Sequence, residues 1–188
     1  MTMKKETTFK RKKFIYDFGI NHYKGLQGIY FNRILKNIIS IGKLVERRKL
    51  KILDFGCGLK KLKNMLYPFD LNYIGFDIDK RFTEVKNWEK IDFDIIVANA
   101  VLMYMTKQEI EAFVKQLYKH NPNVELIFSA TKMNFITKAI KFIRGEIDGY
   151  ADAKTSYQEQ LNILIKYFQI INKKTLLGMN DVYLMRFK

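Results

Sequence analysis

Two acids and two glycines carry the chemistry this chain makes available. Asp54, Gly56 and Gly58 stand in Lys51-Ile52-Leu53-Asp54-Phe55-Gly56-Cys57-Gly58, and Asp77 follows in Tyr73-Ile74-Gly75-Phe76-Asp77-Ile78-Asp79. A glycine has no Cβ, so the loop through Gly56 and Gly58 can take unusual dihedrals and bring its amides close to a ligand. A carboxylate at a strand's carboxyl end, the place expected for Asp77, can accept hydrogen bonds from both hydroxyls of a ribose. Asp54 adds negative charge beside the loop, which suits a ligand that is positive at that end. A pyrophosphate would want the reverse, a helix N-terminus free to receive it.

The elements that must position these groups are legible around them. An apolar run ending in an acid and glycines, then a second apolar run ending in an acid, reads as strand, tight loop, short helix and strand, the front half of a nucleoside-binding α/β domain. At Asp54-Phe55-Gly56-Cys57-Gly58 and Asp77 the chain resembles the class I S-adenosylmethionine-dependent methyltransferases, in particular the small type 11 and type 12 members. That resemblance runs from about Lys51 to the C-terminus. It implies a Rossmann-like three-layer α/β sandwich, mostly parallel, ending in an antiparallel strand pair. It also implies S-adenosyl-L-methionine as cofactor, held by Asp54, Phe55, Gly56, Cys57, Gly58, Asp77, Ile78 and Asn99. The nicotinamide fingerprint Gly-x-Gly-x-x-Gly is the competing pattern, but its third glycine position holds Lys61, whose side chain would obstruct helix–sheet packing.

With 188 residues and 48% hydrophobic content the chain is long enough for one well-buried domain. The expected division is a basic, aromatic arm over 1–24 and one domain over 25–188, with a helix in 25–49 and the core in 50–188. Cys57 is the single cysteine, which excludes an internal disulfide and fits a cytoplasmic protein. The opening Met1–Lys13 has no apolar core of a secretory signal, and the longest nearly apolar run, Ile95–Met105, is too short to span a membrane. Residues 1–49 hold 13 Lys/Arg against 3 Asp/Glu, so most of the +15 formal charge lies there. Such an arm fits an anionic partner, RNA or a membrane surface, or else a solvated basic face. Lys outnumbers Arg by 27 to 7, which weakens the nucleic-acid reading, because Arg makes the bidentate phosphate and base contacts.

Tyr30, Ile34, Ile38, Ile41 and Val45 predict an amphipathic helix over Gln27–Arg48. Strands are predicted at Lys51–Phe55, Tyr73–Ile78, Asp94–Ala100, Asn123–Ser129, Phe168–Leu176 and Val182–Phe187, the last two joined by a turn around Gly178–Asp181. Helices are predicted at Leu59–Leu66, after the capping box Thr106–Glu109, at Asn134–Arg144, and after the capping box Ser156–Glu159, the last with an apolar face of Leu161, Leu164, Ile165 and Phe168. Only 15 residues, Lys80–Asp94, separate the second strand from the next apolar run. One short helix fits there but a helix–strand–loop unit does not, so the family's third strand is expected to be reduced or absent. Trp88 in this link would then stack on an adenine or plug the exposed sheet edge.

The methyl acceptor belongs at the carboxyl end of the strand that closes with Asn99. The segment Asn99-Ala100-Val101-Leu102 resembles that of family members acting on small molecules, lipids and sugars more than the Pro-Pro-aromatic segment of amino-methylating nucleic-acid enzymes. Met103 and Tyr104 replace the Glu and His common in that group. Tyr104 and His22 are the candidate bases; a pocket wall and a structural histidine are the respective alternatives. The two histidines and one cysteine are scattered without zinc-ligand spacing, so no metal is expected. The expected function is methyl transfer to a small-molecule, lipid or glycan acceptor. An RNA methyltransferase and a non-catalytic nucleoside- or nucleic-acid-binding relative are the alternatives.

Overall fold

The computed structural model describes residues 25–132 and 152–188. The basic arm, His22 and the helix expected at Asn134–Arg144 lie outside the described residues. Six strands form one sheet: β1 (Lys51–Phe55), β2 (Asn72–Phe76), β3 (Ile95–Asn99), β4 (Glu125–Thr131), β5 (Phe168–Leu176) and β6 (Asn180–Phe187), in the order β2-β1-β3-β4-β6-β5. The first four run parallel and β6 pairs antiparallel with both β4 and β5. This is the expected sandwich with its closing antiparallel pair, and β2 is the sheet edge because no strand follows it in the short link.

Alternation along the strands divides the core into two layers. Ile52, Ile95, Val97, Ile127, Val182 and Leu184 face α1 (Gly25–Gly42) and α2 (Lys61–Leu66). Leu53, Ile96, Leu126, Phe128, Tyr183 and Met185 face α3 (Lys107–His120) and α4 (Tyr157–Tyr167). Both predicted capping boxes are formed: Thr106 and Ser156 accept from the amides of Glu109 and Glu159, and each glutamate reaches back to its cap amide.

Several boundaries differ from expectation. Helix α1 stops at Gly42, six residues before Arg48, because Lys43 turns left-handed (φ 48°) and the amides of Lys43 and Leu44 close on the carbonyls of Ser40 and Ile39. Gly42 sits against β4, where a Cβ would lie 2.5 Å from Ile127 Cδ1. Helix α2 begins at Lys61, after Lys60 at φ 53°. Strand β2 ends at Phe76, so Asp77 and Ile78 belong to the loop. Strand β4 runs two residues beyond Ser129. The β5–β6 turn is made by Leu177 and Gly178, both at positive φ, while Asn180 and Asp181 are strand residues. In α4 it is Ile163, not Ile165, that is buried beside Leu164. Phe168 is buried too, as the first residue of β5.

The unpaired side of β2 is closed by one residue. The Gly75 amide donates to Glu84 Oε2 and the Glu84 amide donates to Gly75 O, both at 2.8 Å. Lys60 and Lys63 bridge the same carboxylate. Trp88, later in the same link, packs on Phe55, Phe93 and Phe113. It plugs the edge. Glu84→Ala is expected to lower unfolding stability by about 1–2 kcal/mol in urea titration, and Glu84→Gln, which keeps the acceptor for Gly75, by less than half of that.

Candidate functional site

Parallel pairing puts the carboxyl ends of β1, β2, β3 and β4 along one rim of the sheet. Chain order reverses between β1 and β3, and this switch point is where open α/β sheets bind ligands. Gly56 (φ 78°) and Gly58 (φ 46°) take the conformations that favour glycine. The amides of Gly56 and Cys57 both donate to Phe76 O, at 2.8 and 3.1 Å, fastening the loop to the end of β2. A Cβ at Gly56 would lie 2.4 Å from Val101 Cγ2, so the loops after β1 and β3 touch here. A Cβ at Gly58 would meet nothing within 4 Å, which leaves that side of the loop open.

Asp77 is drawn into this loop. The Gly58 amide donates to its Oδ2 and the Asp79 amide to its Oδ1, both at 2.9 Å. Each oxygen keeps lone-pair capacity for another donor. Beside it Ile78 is 95% exposed, a large apolar side chain on the rim. Asp54 is buried below the loop and accepts a hydrogen bond from the Tyr73 phenol. Burial, with the negative charges of Asp77 and Glu84, pushes the Asp54 carboxyl up to about 7, against the Tyr73 bond that lowers it. Burial, together with the Asp54 charge, pushes the Cys57 thiol up to about 12. Its Sγ lies 3.5 Å from Phe82 O. This cysteine therefore packs as a thiol rather than a nucleophile.

The remaining expected residues occupy different places. Phe55 points into the core, stacked with Phe76 at 5.4 Å and tilted on Phe113 at 4.7 Å. Asn99 closes β3, half-buried, opposite Ser129. Tyr104 lies in the short turn Leu102–Tyr104 and is 45% exposed. Past β3 from Asp77, a cleft of about 310 Å³ opens between Ala100, Met103, Ala130 and Thr131 on one side and residues 153–157, 159 and 160 on the other. Among the described residues no group of three His, Cys, Asp or Glu side chains could hold a metal ion, and no helix is long and apolar enough to cross a membrane.

Sequence reasoning missed Tyr73, Glu84 and Gln160. The first two act through partners 19 and 9 residues away, which no local motif connects. Gln160 had a signal in principle: it is a polar residue on the inward face of a helix that a search for apolar spacing passes over.

The raised Asp54 carboxyl has a definite sign. Its folded-state value lies above that of an unfolded aspartate, so deprotonation costs stability as pH rises from about 4 to 7. Asp54→Asn removes that cost. Melting curves should show the difference between variant and parent moving in the variant's favour across this range, and a difference constant with pH would contradict the assignment.

No family model matches the chain, and no curated protein matches it in sequence. Solved structures do. Magnesium protoporphyrin IX methyltransferase (ChlM) from Synechocystis PCC 6803 with bound SAH superposes with a TM-score of 0.61 at 18% identity, covering 96% of this chain and 94% of that one. The 1,6-didemethyltoxoflavin-N1-methyltransferase of Burkholderia thailandensis, with 1,6-didemethyltoxoflavin and S-adenosylhomocysteine bound, gives 0.61 at 12% identity over 96% and 90%. The N-methyltransferase NodS of Bradyrhizobium japonicum WM9, in complex with S-adenosyl-L-homocysteine, gives 0.56 at 14% over 83% and 86%. With its sheet order and these neighbours, the chain has the fold of the class I S-adenosylmethionine-dependent methyltransferases.

Proposed function

We propose that this protein binds S-adenosyl-L-methionine at the ends of β1 and β2 and transfers its methyl group to a small-molecule acceptor. The observation that carries the reading is the pairing of Asp77 with Ile78 just past the end of β2, one strand from the switch point. Asp77 is held by the Gly58 and Asp79 amides with capacity left for two ribose hydroxyls. Ile78, almost wholly exposed, offers an apolar face for an adenine ring. Gly56, Cys57 and Gly58 would border the methionine portion, with Asn99 across the switch point. Phe55 supports the loop from below. Asp54 would supply negative charge toward the cationic end of the cofactor. The residues present fit the group.

When bound, the cofactor brings a sulfonium that is already an activated methyl donor. What the chain must do is align an acceptor, exclude water and receive a proton where the acceptor has one to lose. Tyr104, half-exposed in the turn after β3, is our candidate for the wall or base of that step, and His22 is a second candidate. The structural neighbours that methylate magnesium protoporphyrin IX and 1,6-didemethyltoxoflavin support a small molecule over a macromolecule.

Calorimetric titration with S-adenosylmethionine and S-adenosylhomocysteine tests the reading. Binding in the micromolar range is expected, with Asp77→Ala about a hundredfold weaker, since two hydrogen bonds to a charged acceptor are worth roughly 3 kcal/mol. Asp77→Asn should fall between the two. Affinity should also be higher at pH 8 than at pH 6, because the ligand's positive end favours ionised Asp54. Absence of binding, or binding indifferent to Asp77, would sink the proposal.

A further inference from the structure

The cleft between the end of β4 and the start of α4 contains a buried acceptor that no described residue uses. Gln160 is 2% exposed and lines the cleft. Its Nε2 donates to Thr155 O at 3.0 Å, which fixes the orientation of the amide: a carbonyl oxygen cannot bond another carbonyl. The other end, Oε1, therefore faces away from Thr155 and receives no hydrogen bond from any described residue. It is not sealed in the core either, because every fully enclosed side-chain nitrogen or oxygen among the described residues has a partner. The surface Gln160 retains opens on the cleft.

Its neighbours in the wall are already engaged. The Tyr157 hydroxyl is 2.7 Å from Asp181 Oδ2 and 2.5 Å from the Tyr183 hydroxyl. Asp181 is itself fully buried and held by Lys132, Lys173 and Thr175. Although burial opposes its charge, these bonds keep its carboxyl well below the usual carboxylate range, so the anchor of Tyr157 stays ionised. Ser156 and Glu159 serve the helix cap, and Lys154 bridges Glu109. The Thr155 hydroxyl is 3.2 and 3.1 Å from the carbonyls of Leu102 and Met105. These bonds, with those from the Lys154 and Thr155 amides to Met103 O, tie the cleft wall to the turn after β3. The opposite wall is Ala100, Met103 and Ala130, all apolar, with Thr131, whose Oγ1 accepts from Asn180 Nδ2 at 3.5 Å.

We infer that Gln160 is a specificity-determining residue: its Oε1 selects acceptors that are small, largely apolar and carry an N–H or O–H donor. This deepens the proposed function and rests on it for the word acceptor. A buried carbonyl oxygen without a partner is costly, and a ligand that fills it is favoured over its methylated analogue, which leaves the oxygen desolvated and bare. The same asymmetry would make the cleft release a product whose donor hydrogen has been replaced by methyl.

Indole and 1-methylindole differ only in that donor and serve as probes. Titrated into full-length ¹⁵N-labelled protein, indole should shift the amides of Ala130, Thr155 and Gln160 and bind about fivefold tighter than 1-methylindole, the worth of one hydrogen bond to a buried acceptor. In Gln160→Met the preference should vanish. Equal binding of the two probes, shifts elsewhere, no binding of either, or a preference that survives in the variant overturns the inference. The ratio for the unaltered protein decides the matter alone if the variant fails to fold. Titration of the same samples with S-adenosylhomocysteine separates the two ideas: cofactor binding without probe discrimination removes Gln160 and leaves the methyltransferase reading standing. Discrimination without cofactor binding removes that reading and leaves a donor-selective cleft.

Discussion

The whole rim depends on one close approach, the contact of the Gly56 backbone with the Val101 side chain. The loops after β1 and β3 leave the sheet at its switch point and must diverge around a ligand, yet here they touch. Only a residue without Cβ lets them do so, and the same glycine directs its amide to Phe76 O at the end of β2. Three strand ends are thereby held at fixed spacing by one missing side chain. Asp77 then closes the arrangement from the β2 side by bonding the Gly58 amide, so that the carboxylate is in place before any ligand arrives.

That fastening explains how the fold tolerates a sheet cut short at β2. An exposed edge strand presents unpaired amides and carbonyls. Here Glu84 supplies both a backbone donor and a side-chain acceptor to Gly75, the fourth of the five residues of β2, and two lysines of the α2 region neutralise the carboxylate. Burial opposes the charge on Glu84, but the bonds from Lys63, Gly75 and Lys60 hold its carboxyl below the ordinary range. A single residue thus does much of what a strand would do. Trp88, from the same short link, adds its ring to the core against Phe55 and Phe113.

Local chemistry was legible in the sequence and nonlocal chemistry was not. The capping boxes at Thr106 and Ser156, the strands Lys51–Phe55 and Phe168–Leu176, and the absence of room for a strand after Asp79 all follow from neighbours within a few residues. Helix α1 was read too long because the Val45 continuation keeps the apolar period after the backbone has already turned at Lys43. The face of α4 was read one residue out of phase because Ile165 looks apolar and Gln160 does not. Hydropathy cannot see that a glutamine may be buried when its amide nitrogen has Thr155 O to bond. The Tyr73–Asp54 contact exists only once β1 and β2 are paired in register, and Glu84 meets Gly75 only where the chain folds back along β2.

The two buried aspartates make opposite arguments about what a site must give up. Asp181 is surrounded by two lysines and three hydroxyls, so its charge is fully compensated and it stiffens the junction of β6, α4 and the cleft wall. Asp54 has one phenol and two nearby negative charges. Packing alone would not place a carboxylate there, since an apolar residue would cost less. Under the proposed function, a cationic group arriving at the loop would supply the missing compensation, and the free energy withheld from folding would become binding free energy. The undercompensated acid is the one beside the glycine loop, where a sulfonium would sit. The compensated one lies behind the cleft wall, where it anchors the Tyr157 hydroxyl.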